Sequence, residues 1–217
     1  MIVPFALHTG QAIGRVLTEC PYSPAVRLHA EQMHTASTAL ETPIWKTIEV
    51  GGYKGANAIR EAMNTASCHI RIGDDADEIL GRLAFPFNKT PVELDLVVLS
   101  VFELDLGDKP AHDSVELMAG GQASLHDIYD RAVALGFELC PAEVGPALRL
   151  NYLDQPIGEF LHIAMTPVAR YSGELVDFTV GNGGDGLLLI GGKGDPDLML
   201  PGAVRFVFVR PRPIVLR

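Results

Sequence analysis

A chain of 217 residues, 47% hydrophobic and 20% charged, can bury a sizeable core without disulfides or metals and does not have the composition of a disordered protein. Its formal net charge of −10 argues against a general nucleic-acid binder, because phosphate neutralisation needs a basic face. Apolar runs such as Leu96–Phe102 and Leu187–Ile190 are too short to span a bilayer, and the first residues lack a basic region followed by a sustained apolar segment. The expectation is therefore a cytoplasmic protein with no membrane partner.

Residues 1–44 read as an N-terminal arm or cap. Pro4, Gly10, Pro21 and Pro24 break this segment, and only Ala25–Leu40 suits a short helix. The body begins near Trp45, with a strand over Trp45–Val50 ended by Gly51-Gly52. Ala56–Ala66 carries Ala58, Ile59, Ala62, Met63 and Ala66 at helical spacing, with Asn57 as the candidate cap. His69–Ile72 reads as a short strand. Asp74, Asp75, Asp77 and Glu78 place negative charge at a helix start, and Gly81 ends that helix. In Leu94–Leu104 the centre Leu96-Val97-Val98-Leu99 is apolar at every position, which predicts a strand covered on both faces. Residues 107–122 form a long connection and the candidate subdomain break.

Ser124–Leu135 is a capped helix: Ser124 stands three residues before Asp127, Leu125, Ile128, Tyr129, Ala132 and Leu135 form its buried stripe, and Gly136 stops it. Pro141–Val144 suits one further turn. From Ala147 the period changes to two, since Leu148, Leu150 and Tyr152 alternate with Arg149 and Asn151. Strands are then expected over Glu159–Met165, Leu175–Val180, Leu187–Ile190 and Val204–Arg210, with turns at Gly181–Gly186 and Gly191–Pro196. The fold class that follows is α+β, with short helices plus an antiparallel β-meander in the C-terminal half. One domain covers residues 45–212 and a tail covers 213–217.

The stretch Leu139–Leu150, with Asp154-Gln155-Pro156 and Ile163-Ala164-Met165, resembles a family of uncharacterised bacterial proteins. Leu94–Val101 and Arg205–Arg210 resemble two further segments of it, so the resemblance covers about Trp45 to Arg212. It implies no activity. In that family aromatic residues often occupy the last two strands, where this chain has Leu187-Leu188-Leu189 and Leu198-Met199-Leu200.

Several constellations invite a chemical reading. Cys20, Cys68 and Cys140 are odd in number and form no C-x-x-C, so buried free thiols are expected. His112-Asp113 and His126-Asp127 suggest a metal-dependent hydrolase, but a dipeptide is weak evidence and helix-start chemistry explains the second pair. Gly181–Gly194 lacks the P-loop spacing, and its glycines border strands where hairpin turns account for them. No G-x-S-x-G elbow is present. The acidic run at Asp74–Glu78 lacks EF-hand spacing, and the arginines Arg205, Arg210, Arg212 and Arg217 read as a solvated strand end.

The remaining candidate is the junction at residues 140–149. Glu143 and Arg149 are placed to bind a polar ligand, and Cys140 could act as a nucleophile beside His162. A rigid connector, with Glu143 paired to Arg149 and Cys140 buried, is the structural alternative. The residues taken forward as ligand-binding are Cys140, Glu143, Arg149 and His162, with no metal and no cofactor expected. The leading expectation is a non-enzymatic domain binding an unknown small ligand or protein, with homo-oligomerisation through an open sheet edge. The alternative is a small hydrolase or transferase working at 140–149.

Overall fold

A computed structural model describes residues 38–107 and 121–212. The fold is α+β, built on one curled, mostly antiparallel sheet. In chain order the elements are β1 (Lys46–Val50), α1 (Ala56–Thr65), β2 (Ile70–Ile72), α2 (Asp74–Leu80), β3 (Val92–Ser100), β4 (Gln122–Ser124), α3 (Leu125–Ala134), α4 (Val144–Asn151), β5 (Phe160–Ile163), β6 (Val168–Ala169), β7 (Leu175–Asn182), β8 (Leu187–Lys193), β9 (Met199–Pro201) and β10 (Arg205–Arg210).

The eight-stranded sheet runs β1-β3-β10-β5-β7-β8-β2, with β6 on the side of β7, and β4 pairs β9 in a separate ribbon. Among the described strands β10–β5 and β2–β8 pair in parallel and the other pairs are antiparallel. The last strand therefore lies mid-sheet, antiparallel to β3 with Val207 opposite Val98. Its burial requires this place: Phe206 and Phe208 belong to one apolar cluster and Val207 and Val209 to the other, so both faces are covered. β3 behaves alike, with Leu96 in the first cluster and Val97 in the second. The strand stops at Ser100, short of the expected Leu104, where the Glu103 carboxylate accepts the Ser100 N–H at 2.7 Å and starts a turn. Strands from both sides of residues 107–122 meet in this sheet.

On the first face α1, α2 and α4 pack through Ile59, Met63, Ile79, Leu80, Val144 and Leu148. On the second face α3 packs through Leu125, Ile128 and Ala132 against Phe206, Phe208 and Val97. The α3 start is as expected: Ser124 Oγ accepts the Asp127 N–H at 3.1 Å, and Gly136 takes φ 91° after the last turn. The Asn57 cap is corrected. Helix α1 starts after Gly55, and Asn57 Oδ1 instead accepts from Arg60 Nη1 at 2.9 Å.

A larger correction concerns Ala147–Tyr152, which is not a strand. Residues Val144–Asn151 form α4, and Val144 through Arg149 are all buried. A helix buried on every side has no solvent face to impose a 3.6-residue period, so the alternation of Leu148, Leu150 and Tyr152 carried no strand information. Pro146 sits in the first turn, where no N–H is needed, and Gly145 lets the helix approach Phe178, whose ring lies 2.6 Å from where a Cβ would stand.

The arginines of the last strand are also not simply solvated. Arg205 pairs with Glu159 at 2.5 Å, Arg212 with Asp95 at 2.9 Å, and Arg210 Nη1 donates to the Thr42 carbonyl at 3.0 Å, tying residues 40–42 to the body. Of the arm, residues 38–41 are helical. The rest of the Ala25–Leu40 helix, the Cys20 thiol, the His112-Asp113 pair, Arg217 and the tail 213–217 lie outside the described residues.

Candidate functional site

The 140–149 junction is built from the turn Pro141–Val144, closed by Val144 N–H to Pro141 O at 2.9 Å, and from α4. Its polar side chains turn inward. Glu143 is buried and its carboxylate accepts the Asn88 N–H at 3.0 and 3.1 Å and the Asn88 side-chain amide at 2.5 Å. Arg149 has no exposed surface. Its Nη1 donates to Gln155 Oε1 at 2.6 Å and to the Gly181 carbonyl at 3.1 Å, and its Nη2 donates to the Tyr152 carbonyl. Burial brings its guanidinium down to about 10 from the ordinary 12.5. Glu143 and Arg149 are thus committed to different partners, and the Glu143–Arg149 ion pair of the connector alternative is replaced by two separate clamps.

Cys140 is buried and its thiol donates to the Val207 carbonyl at 3.3 Å, while burial pushes the thiol pKa well up, away from thiolate chemistry. A hollow of about 370 Å³ reaches Cys140, lined by Pro86, Pro141, Ala142 and Thr166–Ala169 among others, and includes no histidine. His162 belongs elsewhere. Its ring packs against Phe206 at 5.2 Å and Nδ1 meets Thr179 Oγ1 at 3.3 Å, with burial lowering its pKa. Cys140 packs in the first apolar cluster, whereas Phe206 beneath His162 belongs to the second. The structure therefore gives Cys140, Glu143, Arg149 and His162 four separate sets of partners.

The other sequence candidates resolve locally. Asp127 accepts from Ser124 Oγ at 2.7 Å and His126 lies 3.4 Å from Asp130, both as helix-start contacts. Asp77 binds Arg60 at 2.5 Å, and Asp75 and Glu78 bind Arg170 at 2.8 and 2.9 Å. Among the described residues no group of three or more His, Cys, Asp or Glu could hold a metal ion, and no helix is long and apolar enough to cross a membrane. Gly183–Gly186 forms the β7–β8 turn, but Gly191 and Gly192 are strand residues of β8, not the turn expected there. Each glycine admits a close neighbour: a Cβ on Gly191 would stand 2.5 Å from Asp75 Cβ, and one on Gly192 would stand 2.3 Å from Asp177 Oδ1.

Two features escaped the sequence reading. The first is a cleft of about 530 Å³ at the end of the β7–β8 pair. Strands supply Leu175, Val176 and Gly191–Lys193, the loop before β7 supplies Arg170, Gly173 and Glu174, and Asp75 and Asp195 close the sides. Arg170 is the fixed point, held by Asp75, Glu78 and Glu174 at 2.8, 2.9 and 3.2 Å, and Glu78 also accepts the Tyr171 N–H at 2.6 Å. That backbone bond, followed by the bond from Arg170, lowers the Glu78 pKa.

The second is Asp177 on β7. It is 1% exposed, and among the described residues its carboxylate oxygens meet no donor beyond its own backbone N–H. Burial pushes its pKa up to about 7. Thr179 shares its face of the strand by alternation. The Tyr129 hydroxyl of α3, likewise buried without a well-formed hydrogen bond, has its pKa raised by burial and then by the Asp177 charge. The signal in the sequence was an aspartate inside Leu175-Val176-Asp177-Phe178, a residue type strands disfavour.

No family model, curated protein or solved structure matches the chain. Function must rest on these sites.

Proposed function

We propose that this protein is a non-enzymatic binding domain that takes a small polar ligand in the cleft over Val176 and Gly191–Lys193. The supporting observation is the cleft itself: about 530 Å³, with a short apolar floor from Leu175 and Val176 and charged groups of both signs, Arg170, Lys193, Glu174 and Asp195, around it. Such a mixture of apolar surface and a few oriented polar groups suits a small-molecule site. Arg170 is pre-positioned by its three carboxylates, which lowers the ordering cost of binding. The commitment of Glu143, Arg149 and the Cys140 thiol to internal partners favours binding over a hydrolase or transferase at 140–149.

The test is a thermal-shift panel of free amino acids, dicarboxylates and polyamines, beside native mass spectrometry of protein purified from a bacterial lysate. A ligand at a hundred times its Kd adds about 2.7 kcal/mol, which is roughly 5–10 °C in Tm for a chain of this size. A hit should be lost in Lys193→Ala or Asp195→Ala according to its charge. A panel in which nothing moves Tm by more than about 1 °C, with a native mass equal to the polypeptide alone, would sink the proposal.

A further inference from the structure

Asp177 sits at a discontinuity of the sheet. On one side β7 pairs β8, with Asp177 opposite Gly192. On the other side β7 pairs β5 only from Thr179 onward and β6 only up to Val176, so Asp177 and Phe178 face the stretch between Ile163 and Val168. Within that stretch Ala164 and Met165 are buried, and the Tyr129 hydroxyl lies toward the Met165 N–H. The groups around Asp177 can be named by element. From α3 comes Tyr129; from β5, His162, bonded to Thr179; from β8, Gly192, which brings no side chain; and near Tyr129 lies the Cys140 thiol. All of these are uncharged around neutral pH, so an ionised Asp177 would be an isolated buried charge.

An isolated charge must find water, and the direction of that opening is set by the layers. Phe178 and Val180 carry the opposite face of β7 into the first apolar cluster under α1, α2 and α4. The Asp177 carboxyl lies on the other face, the side of Tyr129 and α3. There α3 is tied to the segment after β8 by Leu125 N–H to Leu198 O and His126 N–H to Pro196 O, each at 3.0 Å, and by the short β4–β9 ribbon.

We propose that Asp177 is a proton switch for the layer formed by α3 and the β4–β9 ribbon, which seats on the sheet when the carboxyl is protonated and loosens when it ionises. The sign follows from linkage. An acid favoured in its protonated form by the closed state contributes stability that is complete below the ordinary carboxyl range and is lost as pH rises through about 7. The closed layer is thus favoured by mild acid.

Amide hydrogen exchange, read residue by residue and corrected for base catalysis, tests this on the full chain. Between pH 5 and pH 8 the opening of α3 and β9 should increase on the order of a hundredfold, from the ordinary carboxyl value near 4 in the open form and about 7 in the closed one. Amides of β1 and β3 should not follow, and Asp177→Asn should remove the pH dependence in α3. Uniform loosening of the whole sheet, or an unchanged pH profile in Asp177→Asn, overturns the proposal. If Asp177→Asn does not fold, a carbon-13 titration of the Asp177 carboxyl in the natural chain decides it, and a midpoint below pH 5 is the overturning result.

Discussion

Replacing Arg149 by Met tests whether the junction is a scaffold. The side chain is wholly buried, so its charged donors meet only protein: Gln155 Oε1 at 2.6 Å, Gly181 O at 3.1 Å and the Tyr152 carbonyl. Hydrogen bonds to a charged group contribute about 1.5–3 kcal/mol each, so three amount to roughly 4.5–9 kcal/mol. Against this stands the burial of the guanidinium. Its fall from 12.5 to about 10 corresponds to roughly 3 kcal/mol of desolvation that Met would relieve. The bonds outweigh the burial, and Arg149→Met should destabilise by about 3 kcal/mol, because the acceptors from Gln155, Gly181 and Tyr152 are left without donors. In urea, with a slope of about 2 kcal/mol per molar, the midpoint followed by circular dichroism should fall by about 1.5 M. A midpoint lowered by less than about 0.3 M would refute the reasoning, since it would mean that these carbonyls find other donors or that Arg149 is not a clamp.

Gly145→Ala places a methyl 2.6 Å from the Phe178 ring and should cost about 1–3 kcal/mol through overpacking between α4 and β7; unchanged thermal stability would show that the helix can shift. Cys140 should resist iodoacetamide in the native protein, measured peptide by peptide, and become alkylated in urea, because the thiol is buried and its pKa raised. Native labelling at the rate of a free thiol would contradict the burial and reopen a nucleophilic role for Cys140.

Much of the fold was legible where a local signal and its tertiary use coincide. The apolar centre of β3 announced a two-sided strand, and both clusters use it. Ser124 and Asp127 announced the start of α3, and the cap is formed. Legibility failed where burial erased the period, as in α4, and where glycines served close packing inside β8 and not a turn. For the candidate site, the sequence drew attention to residues 140–149, whose polar side chains the structure turns inward. Their use did not follow, because Asn88 and Gln155, which take up Glu143 and Arg149, carry no mark in the sequence that points to them.

What the sequence determined by itself is local: the start of α3, the glycine stops of α2 and α3, most strands, and the α+β composition, all set by side-chain period and by turn and cap chemistry within a few residues. Tertiary structure alone decided that β10 inserts between β3 and β5, that the cleft forms where Arg170 meets Asp75 and Glu78, and that Asp177 lies buried under α3 instead of facing water. Each of these joins segments distant in the chain. Pairing order and burial depend on which apolar faces find each other once the chain is compact, and a carboxylate's surroundings are not written in its neighbours along the sequence.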